Sequence, residues 1–155
     1  MILLPLLSLL VAPAEAAAPR NGAKFGIGLG AGFGVSGISG KYWISEKNAF
    51  QGVIGGWGFA RSGSSIGLGV GLDYLWEMPT ITQAGPMLLG WNLGFGGTVG
   101  LAAPLAAGVS GVAGLEFNFQ PVPIDITIEY RPGISFLPGV GADLVNFSGH
   151  VRYHF

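Results

Sequence analysis

From Lys24 onward the chain alternates. Phe25, Ile27, Leu29, Ala31 and Phe33 take the odd positions, and Gly26, Gly28, Gly30, Gly32 and Gly34 the even ones. A period of two belongs to a two-faced strand, whereas a helix would scatter both sets over every face. The pattern returns in 66–77, where Ile66, Leu68, Val70, Leu72, Tyr74 and Trp76 oppose Gly67, Gly69, Gly71, Asp73, Leu75 and Glu77, with Leu75 the one exception. Toward the C-terminus the contrast sharpens. Ile124, Ile126, Ile128 and Tyr130 alternate with Asp125, Thr127, Glu129 and Arg131, and Val145, Phe147, Gly149, Val151, Tyr153 and Phe155 alternate with Asn146, Ser148, His150, Arg152 and His154.

Eight such segments can be traced: 25–34, 37–44, 49–59, 66–77, 86–96, 107–119, 123–131 and 145–155. Most are close to the about 9–11 residues that a tilted membrane strand requires, and an even number suits a closed antiparallel barrel. Turn-forming residues separate them at Ser36-Gly37, 46–48, Arg61–Ser65, Pro79–Gly85, Gln120–Pro123 and Pro132–Asp143. The expected fold is all-β: a single eight-stranded antiparallel transmembrane β-barrel. The weakest stretch is Met78–Leu115, which carries no charge. Within it Thr98–Leu115 is apolar enough to suggest a membrane helix, but Pro104, many glycines and flanks without Lys or Arg argue against one. The hairpin reading places Gly97–Ala106 in a loop.

Composition separates the two ways such strands can be used. Only 10% of the 155 residues are charged, against roughly 25% in soluble domains, and mean hydropathy is positive. So little charge cannot coat a water-facing surface, and a barrel that turns its apolar faces to lipid removes the difficulty. The formal net charge is -1 with no cluster of Lys or Arg, which excludes the electrostatic footprint of a nucleic-acid binder. The absence of cysteine excludes disulfide scaffolds and thiolate metal sites. No metal or cofactor motif emerges, because the Gly-x-Gly runs lack a following helix with its acidic partner. At the N-terminus the apolar run Met1–Ala12 is too short to span a bilayer. It leads into Pro13-Ala14-Glu15-Ala16, an A-x-A ending, so 1–16 reads as a secretory signal without a positive n-region and 17–155 as the barrel domain. An N-terminal membrane anchor is the alternative.

The ending Val151-Arg152-Tyr153-His154-Phe155, with its terminal Phe and apolar residues at alternate positions, resembles the assembly signature of bacterial outer-membrane barrels. In size and plan the mature chain resembles the eight-stranded OmpA membrane-domain and OmpX type, and Gly37–Ser45 with Lys47-Asn48-Ala49 resembles a hairpin of small barrel proteins of spirochaetes and proteobacteria. The resemblance implies a bacterial outer-membrane location and two partners, the lipid bilayer and the barrel-assembly machinery, the latter reading Val151, Tyr153 and Phe155. It implies no activity.

If the apolar sets face lipid, the inward set includes Lys41, Asp73, Glu77, Asn92, Glu116, Asn118, Asp125, Glu129, Arg131, His150, Arg152 and His154. Trp43 shares that register and Trp57 falls near it. With the N-terminus in the periplasm, Lys41, Asp73, Glu77, Glu116, Asp125, Arg152 and His154 lie toward the periplasmic end, and glycine lines the outer half. Outward aromatic residues, Phe33 among them, are placed to form interfacial girdles. Charges of both signs in one small lumen are expected to pair into a network, because an unpaired buried charge costs several kcal/mol. A sharper reading joins Ser148, His150 or His154 and a carboxylate into a hydrolase triad of the lipid A deacylase kind. The expectation is a monomeric, non-enzymatic barrel without cofactor and with a narrow, side-chain-filled lumen. The alternatives are a lipid A or phospholipid-modifying enzyme, or a carrier holding a small apolar ligand in the outer half.

Overall fold

A computed structural model describes residues 22–58, 67–101, 103–120 and 122–155. The segment read as a leader, 1–16, and the turn at Arg61–Ser65 lie outside the described residues. The described chain forms eleven strands: β1 (Phe25–Ala31), β2 (Val35–Ser45), β3 (Asn48–Trp57), β4 (Gly67–Glu77), β5 (Thr82–Ala84), β6 (Met87–Leu101), β7 (Ala106–Phe119), β8 (Ile124–Tyr130), β9 (Gly133–Leu137), β10 (Gly141–Asp143) and β11 (Phe147–His154). Eight of them close a ring, β1-β2-β3-β4-β6-β7-β8-β11, and β11 returns to β1 through pairs such as Gly26 with His154 and Gly30 with His150. Every pairing is antiparallel. Closure leaves the eight wall strands without an edge over most of their length, which is how an antiparallel sheet satisfies its main-chain groups.

The period-two pattern sets which side chains fill the ring. Leu68, Val70, Leu72, Ile126, Ile128, Val151 and Tyr153 point outward and are exposed. The largest fully buried side chains include Arg131, Arg152, Lys41, His150, Gln51 and Glu129. A water-soluble core sorts these residue types the other way. Glycine at inward positions lets the wall curve tightly. Gly37 and Gly55 face one another on β2 and β3, and a Cβ on either would lie 2.7 Å from the other's Cα. A Cβ on Gly28 would press on the Val151 carbonyl oxygen and lie 2.8 Å from the Arg152 Cα, so this close approach of β1 and β11 requires glycine.

Four boundaries differ from the sequence expectation. The turn expected at Ser36-Gly37 lies earlier, between Ala31 and Val35, and Ser36 and Gly37 pair within β2 against Ala31 and Gly30 of β1. The loop expected over Gly97–Ala106 is shorter: β6 continues to Leu101, and its pairing with β7 runs unbroken from Met87 opposite Phe119 to Gly100 opposite Ala106, so that within this stretch Ala103, Pro104 and Leu105 lie outside the strands. The helical alternative falls with it. The Pro132–Asp143 connection is not simply a turn, because it folds into the β9–β10 hairpin. β7 extends beyond the end of β8, and β9 takes over its edge by pairing Ile134 with Val109 and Gly133 with Ser110. Pro132, which has no N–H to give, breaks β8 from β9 while its carbonyl accepts the Gly111 N–H at 2.9 Å. Within the expected Pro79–Gly85 turn, β5 pairs with the start of β6.

Phe33 departs in a different way. It was expected on the outer face, yet it is buried, with 7% of its surface exposed. β1 stops at Ala31 and the chain reverses through Gly32-Phe33-Gly34, where Gly34 adopts a φ of 78°. That left-handed conformation is cheap only for glycine. The reversal takes Phe33 out of the strand's alternation and turns its ring over the barrel.

Candidate functional site

The lumen holds two stacked layers of ionic side chains. In the layer nearer the chain termini, Lys41 on β2 reaches across to β4 and β7. Its Nζ lies 2.6 Å from Glu77 Oε1 and is also bonded to Glu116 Oε1. Asn92 Nδ2 donates to the same Glu116 oxygen at 2.7 Å. Beside this trio, Arg152 on β11 donates from Nε to Asp125 Oδ1 at 3.2 Å and from Nη2 to Thr127 Oγ1 at 2.8 Å. His154 Nε2 lies 2.5 Å from Asp125 Oδ2. The Trp43 ring packs against His154, and Lys41 Nζ sits 4.9 Å from its centroid.

In the farther layer Arg131 grips two carboxylates. Nη1 and Nη2 donate to the two oxygens of Asp73 at 3.0 and 2.5 Å, and Nε donates to Glu129 Oε2 at 2.8 Å. This two-pronged geometry suits the planar guanidinium. Gln51 ties the layers together: Nε2 donates to Asp73 and Glu129, and Oε1 accepts from Arg152 Nη1 at 2.5 Å. The structure thus brings all ten of the charged and histidine side chains expected in the lumen into one connected interior. Asp73 joins the farther layer with Arg131, not the periplasmic-end group in which its position along β4 placed it. Among these groups five carboxylates (Asp73, Glu77, Glu116, Asp125, Glu129) meet three fixed cations (Lys41, Arg131, Arg152), and each histidine touches a carboxylate.

A serine, a histidine and a carboxylate do align here, although not with the serine expected. Ser39 Oγ lies 2.8 Å from His150 Nδ1, and His150 Nε2 lies 3.1 Å from Glu129 Oε2. An Nε2–H imidazole donates to Glu129 and accepts the Ser39 hydroxyl. Ser148 instead donates to Glu129 at 3.1 Å. Ser39 and Glu129 have no exposed surface, so the hydroxyl has no face on which to meet a substrate, and the row braces three strands.

Apolar residues complete the filling. Leu75, the exception to the alternation of its strand, packs with Trp43, Ala49 and Val112. At the end far from the termini Trp57 rests on glycines. A Cβ on Gly34, Gly69 or Gly100 would lie at or within about 3 Å of its indole, and Phe33 is seated in the same way on Gly108 and Gly133. With Val35 these two rings roof the ionic layers. Reading the sequence did not single out Gln51, Ser39 or Thr127. The signal for Gln51 was available, since it shares the register of Ala49 and Val53 between outward Phe50 and Ile54. Among the described residues no cluster of His, Cys, Asp and Glu is arranged to hold a metal ion. Comparison with protein-family models, with curated proteins and with solved structures gives no match.

Proposed function

We propose that this chain is a bacterial outer-membrane β-barrel of structural or interaction role, non-enzymatic and closed to ion flow by its own side chains. The observation that carries the reading is the inverted sorting of residues: a buried interior of Arg, Lys, Glu, Asp and His inside an exposed wall of Leu, Ile, Val and aromatic rings. In water such a wall would be an aggregation surface, and in a bilayer it is the matched one. The alternation of Val151, Tyr153 and Phe155, which resembles a barrel-assembly signature, supports assembly by the barrel machinery. The partners in this reading are the bilayer and that machinery, and the working unit is a monomer.

The closed lumen follows from width and filling. An eight-stranded ring has room for side chains or one small ligand, and here long ion-paired side chains from five wall strands meet across it with Arg131, which follows β8. Planar-bilayer recording of the refolded protein tests this. The expected result is a silent bilayer, and a stable, large conductance would overturn the closed reading. The enzymatic alternative would need a nucleophile that substrate can reach, and the buried Ser39–His150–Glu129 row offers none.

A further inference from the structure

Above the roof formed by Phe33, Val35 and Trp57 lies a cavity of about 830 Å³. It opens at the end of the barrel far from the termini. Its walls come from the β1–β2 turn, the end of β3, the start of β7, and the β9–β10 hairpin with the segment that leads into β11. The space exists because several of the residues that line it have little or no side chain: Gly32, Gly34, Gly58, Ala106 and Ala107. What remains is an aromatic floor, a rim of Leu137, Val145 and Phe147, and the polar side chains of Ser36, Ser135, Asn146 and Asp143, whose carboxylate accepts from Asn146 Nδ2 at 3.3 Å.

We infer that this cavity is a binding site for an uncharged, drug-sized apolar molecule carrying one or two polar groups. Its volume lies inside the roughly 300–1,000 Å³ typical of small-molecule sites, and apolar walls with a few placed polar groups are their usual lining. Water filling such a space forgoes hydrogen bonds over the aromatic floor, whereas an apolar body of matching size removes that surface from water. The floor also defines what the site does. Trp57 and Phe33 are held in glycine seats that leave them little room to swing aside, so a molecule entering from the mouth is retained there and does not pass on into the ionic layers. The inference rests on the membrane reading only for the side from which the ligand arrives, which would be the cell exterior.

The test uses the full chain refolded in lipid nanodiscs and the uncharged fluorescent probe N-phenyl-1-naphthylamine. Saturable binding of one probe per barrel is expected above the partition measured with empty nanodiscs. Ala142→Trp fills the mouth from an exposed position of the β9–β10 hairpin, and it should weaken binding at least tenfold. Val145→Trp should do the same from the adjoining segment that leads into β11 and serves if the first variant misfolds. Leu29→Trp, on the outer wall, should leave binding unchanged. Probe uptake no greater than in empty discs, or equal affinity in a correctly folded Ala142→Trp barrel, overturns the site. A silent barrel that fails to bind removes this inference alone, whereas a conducting barrel removes the closed-lumen reading.

Discussion

Lys41 is the residue whose removal the lumen should tolerate least. Its ammonium is the only cation in contact with Glu77 and Glu116 among the described ion pairs, and all three side chains are sealed from solvent. Lys41→Met leaves two facing carboxylates with no cation between them, in a space sealed from bulk solvent. Removing one partner of a buried pair costs about 3–5 kcal/mol, whereas replacing a whole buried charge cluster by neutral groups is often close to neutral. Two variants therefore separate charge from shape. Lys41→Met alone should lower unfolding free energy by about 3–5 kcal/mol, measured by reversible urea unfolding in lipid vesicles with tryptophan emission as the readout. Lys41→Met combined with Glu77→Gln and Glu116→Gln should recover most of that loss. If the single variant costs under about 1 kcal/mol, within the range of an exposed pair, the lumen is hydrated and the reasoning fails. If the triple variant is as unstable as the single one, the loss is one of packing and not of charge.

Further outcomes follow from other contacts. Gly28→Ala places a Cβ against the β11 main chain, while at Gly40 the nearest atom is 3.9 Å away. The first should cost at least the about 1–3 kcal/mol of an overpacked site and the second much less, read as a difference in urea midpoint. Gly100→Ala should be destabilising because its Cβ would overlap the Trp57 indole, and Trp57→Leu in the same chain should relieve part of the loss. Tyr130 Oη donates to the Leu144 carbonyl at 2.7 Å and ties down the 131–146 connection. Tyr130→Phe should leave barrel unfolding nearly unchanged while cleavage of that connection by added protease becomes faster.

How far the sequence disclosed this molecule depends on how local each feature is. The number of wall strands and their facing were legible because alternation is written residue by residue: Ile124 to Arg131 sorts its side chains by neighbours alone. The inward charges were legible for the same reason. What remained hidden was whatever needs a partner distant in sequence. Gly97–Ala106 read as a loop because its glycines and Pro104 are turn residues, yet the long β7 edge recruits Gly97–Leu101 into the ladder. β9 forms because β7 has an unpaired edge beyond β8, which no property of Gly133–Leu137 announces. Phe33 looked outward by parity, and the left-handed Gly34 moved it inward. The pairing within the lumen was equally invisible: Ser39 and His150 stand 111 positions apart, so alternation could put both inside but could not make them neighbours. Ser148 seemed the better serine only because it lies next to His150 on one strand.

The most direct measurement of which way the wall faces uses two tryptophans of opposite placement. Trp76 points outward with 42% of its surface exposed, and Trp43 points inward with 6%. Single-tryptophan versions of the chain, with the other indoles replaced by Phe, can be refolded into bilayers whose acyl chains carry bromine. A lipid-facing wall gives strong quenching of Trp76 and little of Trp43. Equal quenching of the two, or a Trp76 that bromine does not reach while the barrel stays folded and dissolved in water, would contradict the membrane assignment.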